Sequence, residues 1–290
     1  MSPTLKAAIW MIGAIVSFSA MAVAGRAVSV SLDTFELLLY RSLIGLFIVL
    51  AVGGLTRTLP DINARHLGLH FMRNISHFTG QNLWFFAITV IPLSQVFALE
   101  FTSPLWVALL APLIVGERLT RNRALAAFLG FIGILIIARP TIASLSPGVV
   151  AAAFAAVGFA LSALFTRRLT RDTSIICILF WLTLMQAVFG LICAGYDGDI
   201  TLPDTTTAPW LAVIAVGGLV AHYCLTTALS LAPASVVIPI DFTRLPLIAL
   251  IGALVYNEPL ELAVVAGAAL IIFANILNLR AESRSGDRSI

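Results

Sequence analysis

The sequence predicts an all-α integral membrane protein with ten transmembrane helices, arranged as two inverted five-helix repeats. The composition, the number of long apolar stretches and an internal repeat support this prediction. Of the 290 residues, 60% are hydrophobic and 11% are charged, and the mean hydropathy is +1.04. Soluble domains carry about 25% charged residues. The apolar runs are continuous rather than alternating, which excludes a transmembrane β-barrel.

Ten apolar stretches have the length of about 20 residues that a helix needs to cross the bilayer. We name these predicted spans TM1 to TM10, and they cover residues 5–24, 34–53, 67–90, 93–115, 123–138, 147–165, 174–194, 209–230, 235–256 and 260–279. Turn signals separate them, such as Ser31-Leu32-Asp33, Pro60-Asp61, Ile91-Pro92, Pro140, Asp197-Gly198-Asp199 and Ala232-Pro233. The loops between them are too short for a soluble catalytic or nucleotide-binding domain.

The basic residues predict the orientation of the spans. With a cytoplasmic N-terminus, only Arg26 and Arg139 fall in outside segments. The inside segments then hold Lys6, Arg57, Arg65, Arg118, Arg121, Arg123, Arg167, Arg168, Arg171, Arg280, Arg284 and Arg288. The positive-inside rule therefore places both termini in the cytoplasm and the chain in the cell inner (plasma) membrane. The net charge of +3 is too small to indicate a nucleic-acid partner.

A shift of 141 residues aligns the two halves of the chain without a gap. Pro92-Leu93-Ser94 meets Pro233-Ala234-Ser235, Glu100-Phe101-Thr102 meets Asp241-Phe242-Thr243, Glu117 meets Glu258, and Phe18 meets Phe159. The expected units are a first repeat at 5–141, a second at 146–280 and a cytoplasmic tail at 281–290. Five spans per repeat give the copies opposite orientations, which is typical of secondary transporters. The chain lacks a G-x-x-x-x-G-K-[ST] loop for ATP.

Two glycine-containing segments carry a family resemblance. Gly116-Glu117-Arg118-Leu119-Thr120 with Phe128–Gly133, and Asn257-Glu258-Pro259-Leu260 with Ala266–Ala269, resemble the end of an EamA domain. The chain looks like a drug/metabolite transporter with two EamA domains. Among characterised members, it is most similar to bacterial aromatic amino acid exporters. The resemblance implies alternating access through a central cavity lined by TM1–TM4 and TM6–TM9. It also implies S-adenosylmethionine, riboflavin or a cationic drug as alternative substrates, and no cofactor.

TM3 is the most polar of the predicted spans. Arg73, His77 and Gln81 recur every four residues and share one helical face, with Trp84 close to it. Such a stripe does not face lipid, so it faces protein or water. The functional interpretation is a wall of the substrate cavity, and the structural alternative is a cluster of interhelical hydrogen bonds. Arg73 is the weakest member, because its side chain can snorkel to the cytoplasmic edge.

Four further charges lie within spans. Glu100 in TM4 and Asp241 in TM9 occupy matching positions, and Arg244 lies three residues after Asp241, as in a helical ion pair. Arg41 in TM2 can pair with Glu100 or receive a substrate carboxylate. Glu100 is then the acid to test for proton exchange, which makes protons a candidate coupling ion. Structural pairing and transport are equal alternatives for these four residues.

Additional substrate-contact candidates are His222, which meets Gln81 under the shift, and the aromatic residues Tyr40 and Tyr223. Pro104, Pro239 and Pro246 interrupt TM4 and TM9 and are candidate hinges. The small residues of TM5 and TM10 suit a monomer or a weak homodimer. The expected partners are a small-molecule substrate and the lipid bilayer. An integral-membrane enzyme is the rival class, but the metal-ligand spacing of His66 and His70 has no completing ligand, and no metal site is expected.

Overall fold

The structure is a computed structural model of the chain. It describes residues 1–28, 32–91, 93–117, 120–138, 146–196 and 198–244, together with separate helical positions between 247 and 277. The regular elements of these residues are all helices. Their bounds are α1 Pro3–Val28, α2 Thr34–Leu55, α3 Leu67–Val90, α4 Leu93–Glu100, α5 Ser103–Ile114, α6 Arg121–Ala138, α7 Pro147–Leu169, α8 Ile175–Ala194, α9 Ala208–Leu231 and α10 Ala234–Ile240.

Five helical segments of the described chain are long and apolar enough to cross a bilayer. They are Pro3–Gly25, Thr34–Leu55, Pro147–Leu169, Ile175–Ala194 and Ala208–Leu231. Large apolar side chains such as Phe47, Leu113 and Phe154 lie on the outside of the protein, where lipid replaces water as the solvent. The chain is therefore a multi-pass, all-helical membrane protein. TM10 is described only at separate helical positions between 262 and 277.

Helices that match under the 141-residue shift begin in matching ways. Asp33 caps α2, because its carboxylate accepts hydrogen bonds from the N–H groups of Phe35 and Glu36. The Glu36 carboxylate accepts the N–H of Asp33 in return, which completes a capping box. Ser174, the equivalent of Asp33, caps α8 by accepting the N–H of Cys177 at 3.3 Å. Both caps satisfy N–H groups that the first helical turn leaves unpaired.

The helix bounds repeat with the same shift. It places the start of α2 on the start of α8, both ends of α3 on both ends of α9, and the start of α4 on the start of α10. The packing repeats too: α1 packs on α9, α3 on α7, and α2 on α8. Since the shift makes α7, α8 and α9 the equivalents of α1, α2 and α3, the contact of α1 with α9 has its counterpart in the contact of α3 with α7.

Glycine allows the closest approach in two of these helix pairs. A Cβ atom at Gly158 of α7 would lie 2.8 Å from the backbone oxygen of Ser76 in α3. A Cβ atom at Gly217 of α9 would lie 3.3 Å from the backbone oxygen of Ser17 in α1. The 141-residue shift turns one contact into the other, because it places Ser17 on Gly158 and Ser76 on Gly217. Small residues therefore set the spacing of both crossings.

TM4 was predicted as one continuous span, and the structure divides it. Helix α4 ends at Glu100 and α5 begins at Ser103. Pro104 lies in the first turn of α5, where it lacks the N–H that would bond to Glu100 and its ring would collide with that carbonyl. At the equivalent place in TM9, α10 ends at Ile240 and a 3₁₀ turn spans Asp241–Thr243. Both breaks place a carboxylate inside the bundle.

The buried apolar side chains form two main clusters. One joins the C-terminal half of α1 to α3 and α4 and includes Leu38, Phe85 and Phe97. The other joins the N-terminal half of α1 to α5 and α10 and includes Met11 and Val237. Phe18 packs against both clusters. The core is thus split into two layers, and the polar residues lie between them.

Candidate functional site

A cavity opens at the centre of the described bundle, bordered by α1, α3, α5, α7, α9 and the breaks after α4 and α10. Its free volume is about 100 Å³, well above the roughly 10–15 Å³ that one water needs. Residues that match under the 141-residue shift line it together: Phe18 and Phe159, Gln81 and His222, Glu100 and Asp241, and Ser103 and Arg244. Both halves of the chain therefore contribute matching positions to the cavity.

Most of the residues singled out from the sequence lie together in this cavity. Its walls include His77, Gln81, Trp84, Glu100, Pro104, His222, Asp241 and Arg244. The polar stripe of α3 faces inward, whereas Ile75 on the same helix is 36% exposed. The interhelical alternative holds for part of the stripe, because Arg73 donates to Thr166 Oγ1 in α7. The period of four residues was sufficient to locate this face.

Other candidates lie elsewhere. The Tyr40 hydroxyl donates to the backbone oxygen of Thr201, at the loop after α8. Tyr223 is 43% exposed and packs edge-on against Trp10. Arg41 lines a separate, smaller pocket. Pro239 lies inside α10 without lining the cavity, and the predicted hinge at Pro246 lies outside the described residues.

Three charged residues form a cluster at the helix breaks. Arg244 Nη2 donates to Glu100 and, at 2.8 Å, to Asp241 Oδ2. Trp84 Nε1 donates to the other oxygen of Glu100 at 2.6 Å. The guanidinium of Arg244 also lies 5.2 Å from the ring centre of Phe18, and it contacts the rings of Phe97 and Phe101 similarly. These contacts hold the Arg244 side chain from several sides.

This cluster corrects the expectation for Glu100. Sequence reasoning left Glu100 without a partner in its own helix and offered Arg41 as one across helices, but Arg244 is the residue that pairs with it. The expected pair of Arg244 with Asp241 is present as well. Glu100 and Arg244 are 144 residues apart in the sequence, so helical spacing could not predict this contact.

Several buried polar atoms of the cavity have no hydrogen-bond partner within the described part of the chain. They are His77 Nε2, Gln81 Oε1, both ring nitrogens of His222, Asp241 Oδ1 and Arg244 Nε. The rings of His77 and His222 meet edge-on with centroids 4.6 Å apart. A buried polar group without a partner costs roughly 1–3 kcal/mol. Their concentration in one cavity indicates a polar ligand or water.

Arg73 was expected to reach the cytoplasmic edge, but its side chain stays inside the bundle. It is 2% exposed, and it donates hydrogen bonds to Thr166 Oγ1 and Asn74 Oδ1.

Sequence reasoning missed several other cavity residues. Polar residues of α5, α7 and α9 that were not singled out also line the cavity, namely Ser103, Ser162, Thr166 and Thr226. Phe18 and Phe159 line it too. Their match under the repeat shift was the signal that could have identified them.

Basic side chains close the bundle at the C-terminal ends of α5, α7 and α9. Arg167 donates to Glu117 and to the backbone oxygen of Leu229. Arg168 and Arg171 donate to the backbone oxygens at the end of α5, Ile114 and Val115. Basic side chains at helix C-termini satisfy carbonyls that lack an intrahelical partner and favour the helix dipole.

Comparison with known proteins identifies relatives along almost the whole chain. The model of the EamA-like transporter family matches residues 5–139 and 146–280. A riboflavin transporter of Brucella anthropi is 36% identical over 228 residues, which cover 77% of this chain and 80% of that protein. A riboflavin transporter of Vibrio cholerae is 28% identical and covers 98% of this chain and 96% of its own. An S-adenosylmethionine uptake transporter of Rickettsia bellii is 23% identical, with coverage of 97% and 96%.

A solved crystal structure shares the fold. It superposes with a TM-score of 0.79 at 18% sequence identity, over 96% of this chain and 98% of the other. At this level of identity the similarity concerns the backbone architecture alone.

Proposed function

This chain belongs to the EamA-like transporter family, and we propose that it is a secondary transporter for riboflavin or a similar uncharged heteroaromatic metabolite. The observation that carries this proposal is the central cavity, where unpartnered polar atoms lie among aromatic rings. The function is transport and not catalysis, in agreement with the named relatives. The residues that we propose contact the substrate are His77, Gln81, Trp84, Glu100, His222, Asp241 and Arg244.

Alternating access between two inverted repeats is the mechanism we propose. The repeated helix bounds and the reciprocal pairing of α1 with α9 and α3 with α7 support it. The matching positions that both halves contribute to the cavity support it as well, because transporters with inverted repeats bind substrate at the repeat interface. The complete arrangement has ten spans, with TM9 continuing beyond α10 and TM10 following it. Pro104, Pro239 and Pro246 are the proposed hinges.

The arginine-rich end of the bundle is proposed to face the cytoplasm of the inner membrane. Arg167, Arg168 and Arg171 lie together there, and the positive-inside rule then places both termini in the cytoplasm. In intact cells, an impermeant thiol reagent should label a cysteine at position 196 and spare one at position 121, in a background without Cys177, Cys193 and Cys224. Labelling of position 121 alone would contradict this orientation.

Charge balance favours an uncharged substrate. Arg244 already occupies Glu100 and Asp241, so the described cavity offers no free acid pair to a cation such as S-adenosylmethionine. The aromatic rings of Phe18, Phe101 and Phe159 provide stacking surfaces for a flat ring system. The imide and carbonyl groups of a flavin ring match the free polar atoms of His77 and Gln81. The names of the relatives support riboflavin over the amino acid export expected from the sequence.

The two ends of the cavity differ in polarity, as do the ends of a ring with a polar tail. Arg73 and Trp84 both line it, and their separation on α3 corresponds to about 16 Å along a helix axis. The aromatic Trp84 and the charged cluster lie at one end, and the polar side chains of Arg73 and Thr166 lie at the other. In riboflavin, the flat flavin ring would then lie at the end near Trp84, and the ribityl hydroxyls would lie at the end near Arg73 and Thr166.

Counterflow in proteoliposomes tests the proposal, because it reports substrate exchange in either direction. Vesicles with purified protein and unlabelled riboflavin inside should accumulate labelled riboflavin transiently, and protein-free vesicles should not. Labelled S-adenosylmethionine and tryptophan are tested in parallel with their own unlabelled forms inside. Counterflow of tryptophan without riboflavin would favour the amino acid exporter, and counterflow of S-adenosylmethionine alone would favour a cationic substrate.

A further inference from the structure

A second and smaller cavity lies between α2, α8 and α9. Its free volume is about 10 Å³, at the lower end of what one water molecule needs. Arg41, Ser42, Thr183, Gln186 and His222 contribute its polar walls. The repeat shift places Ser42 on Thr183, so both halves of the chain contribute matching positions to this cavity as well.

Arg41 is buried there without a counter-charge. The residue is 6% exposed, it makes no ion pair with a carboxylate of the described chain, and its Nη1 has no hydrogen-bond partner. Burial of a charge without a partner costs several kcal/mol in proteins. Arg73, which has the same sign, interacts with it electrostatically. A negatively charged ligand would therefore stabilise the buried Arg41 side chain more than a neutral one.

The packing of α9 fixes the position of the Arg41 side chain. A Cβ atom at Gly218 would lie 2.8 Å from Nε and 3.3 Å from the central carbon of the guanidinium. The absence of a side chain at Gly218 thus leaves room for the guanidinium against the α9 backbone. The group cannot be displaced toward α9, and the remaining free space lies on its cavity side.

His222 adds a second group to this cavity. It is 2% exposed, and neither of its ring nitrogens has a partner within the described chain. A neutral imidazole carries one N–H donor, so Arg41 and His222 together can give two hydrogen bonds to one acceptor. Gln186 donates Nε2 to the backbone oxygen of Asn74 and leaves Oε1 without a partner. That oxygen can accept a hydrogen bond from water but would repel an anion, so water is the competing occupant.

We propose that this cavity binds one small monatomic anion, with chloride as the physiological ion, held by Arg41 and His222. Its size excludes carboxylates and phosphates, and the uncompensated charge of Arg41 favours an anion over water. His222 also lines the central cavity, so the anion lies one side chain away from the transported substrate. The proposal concerns a site separate from that of the substrate and does not depend on which metabolite is carried.

Thermal unfolding of the purified protein tests the anion site. Sodium gluconate is replaced stepwise by sodium chloride at constant ionic strength, and the unfolding midpoint is followed. A ligand that binds only the folded state raises the midpoint with concentration, so the midpoint of the wild-type protein should rise with chloride. Arg41→Met removes the charge and keeps an apolar stem, and its midpoint should not respond. Arg65→Met, at an exposed position, should respond like the wild type.

A flat response of the wild-type protein would show that water fills the cavity and would overturn the proposal. An equal rise in Arg41→Met would overturn it too, because chloride would then act elsewhere. If Arg41→Met does not fold, crystals of the wild-type protein grown in sodium bromide decide the question. An anomalous bromide peak between Arg41 and His222 is the expected result, and a map without a peak in this cavity contradicts the proposal.

Discussion

The guanidinium of Arg244 donates a hydrogen bond to the carboxylate of Glu100 and so connects the helix break of one repeat to that of the other. The same group holds Asp241. One arginine therefore ties together the two positions that the 141-residue shift superimposes. Because α4, α5 and α10 meet at this contact, its formation and rupture are suited to accompany a change in the shape of the cavity.

Arg244→Ala should destabilise the protein more than Glu100→Gln does. Loss of the arginine leaves two buried carboxylates without a counter-charge, and breaking a buried ion pair in this way costs roughly 3–5 kcal/mol. Glu100→Gln leaves Arg244 with Asp241 and should cost less. Unfolding in detergent, monitored by near-UV circular dichroism, measures the difference. Equal stability of Arg244→Ala and wild type would show that the cluster does not stabilise the fold.

Proton coupling, if present, should depend on Asp241 more than on Glu100. Both oxygens of Glu100 accept hydrogen bonds, from Arg244 and Trp84, whereas Asp241 Oδ1 has no partner among the described residues. Asp241→Asn should abolish the stimulation of riboflavin transport by a pH gradient and leave counterflow measurable. Glu100→Gln should lower both activities together. If the wild-type protein ignores a pH gradient, neither acid carries a coupled proton.

Substitutions on the inward face of α3 should weaken transport without loss of expression. His77→Ala and Gln81→Ala each remove a cavity side chain with an unpartnered atom, because His77 Nε2 and Gln81 Oε1 have no hydrogen-bond partner in the described chain. The folded state should therefore lose little stability. We expect at least a tenfold fall in riboflavin counterflow, equivalent to about 1.4 kcal/mol. Ile75→Ala, on the exposed side of the same helix, is the matched control. Similar losses in all three variants would indicate a structural role for the face.

Gly158→Ala should destabilise the crossing of α3 and α7. The new methyl group would meet the backbone oxygen of Ser76 at 2.8 Å and the Cα of Gly80 at 3.0 Å. Neither atom belongs to a side chain that can move aside, so overpacking of about 1–3 kcal/mol is expected. Gly68→Ala is the control, because open space surrounds a Cβ at that position of α3. Comparable unfolding midpoints for the two variants would contradict the tight crossing.

The acid stability of the loop before α9 should depend on Asp204. Hydrogen bonds from the backbone N–H and hydroxyl of Thr207 and from Thr206 hold the pKa of Asp204 at about 2, below its usual 3.8. A carboxyl whose pKa is lower in the folded state contributes stability above pH 3.8, and this contribution disappears as the pH falls through about 2. The pKa of Asp204, measured by NMR, should therefore lie below 3.

Asp204→Asn provides the matching comparison in unfolding experiments. The variant should unfold at a lower temperature than the wild type at pH 7, and by nearly the same amount down to about pH 5, above the ordinary pKa of 3.8. The gap should close only at more acidic pH, when Asp204 of the wild type is protonated. A gap that closes above pH 4 would show that the hydrogen bonds to Thr206 and Thr207 do not lower the pKa.

Sequence reasoning located the helices and the inward face of α3 because both depend on short-range periodicity. The span TM3 and the helix α3 share the same bounds, 67–90. Contacts between distant segments left no such signal. The partner of Glu100 and the burial of Arg73 depend on how α3, α7 and α10 pack, and helical spacing within a single span does not contain that information. Tyr223 shows the same limit, because it is one residue from His222 and points to the opposite side.

The glycine contacts of Ser17 with Gly217 and Ser76 with Gly158 have a consequence for biosynthesis. Helix α1 is synthesised before its partner α9, and α3 before its partner α7. The helices of the first repeat therefore enter the membrane before the surfaces that cover them exist. The native helix pairs then form late, and they form slowly because their helices are far apart in the sequence. Until translation is complete, the nascent chain must be protected by lipid or by the insertion machinery.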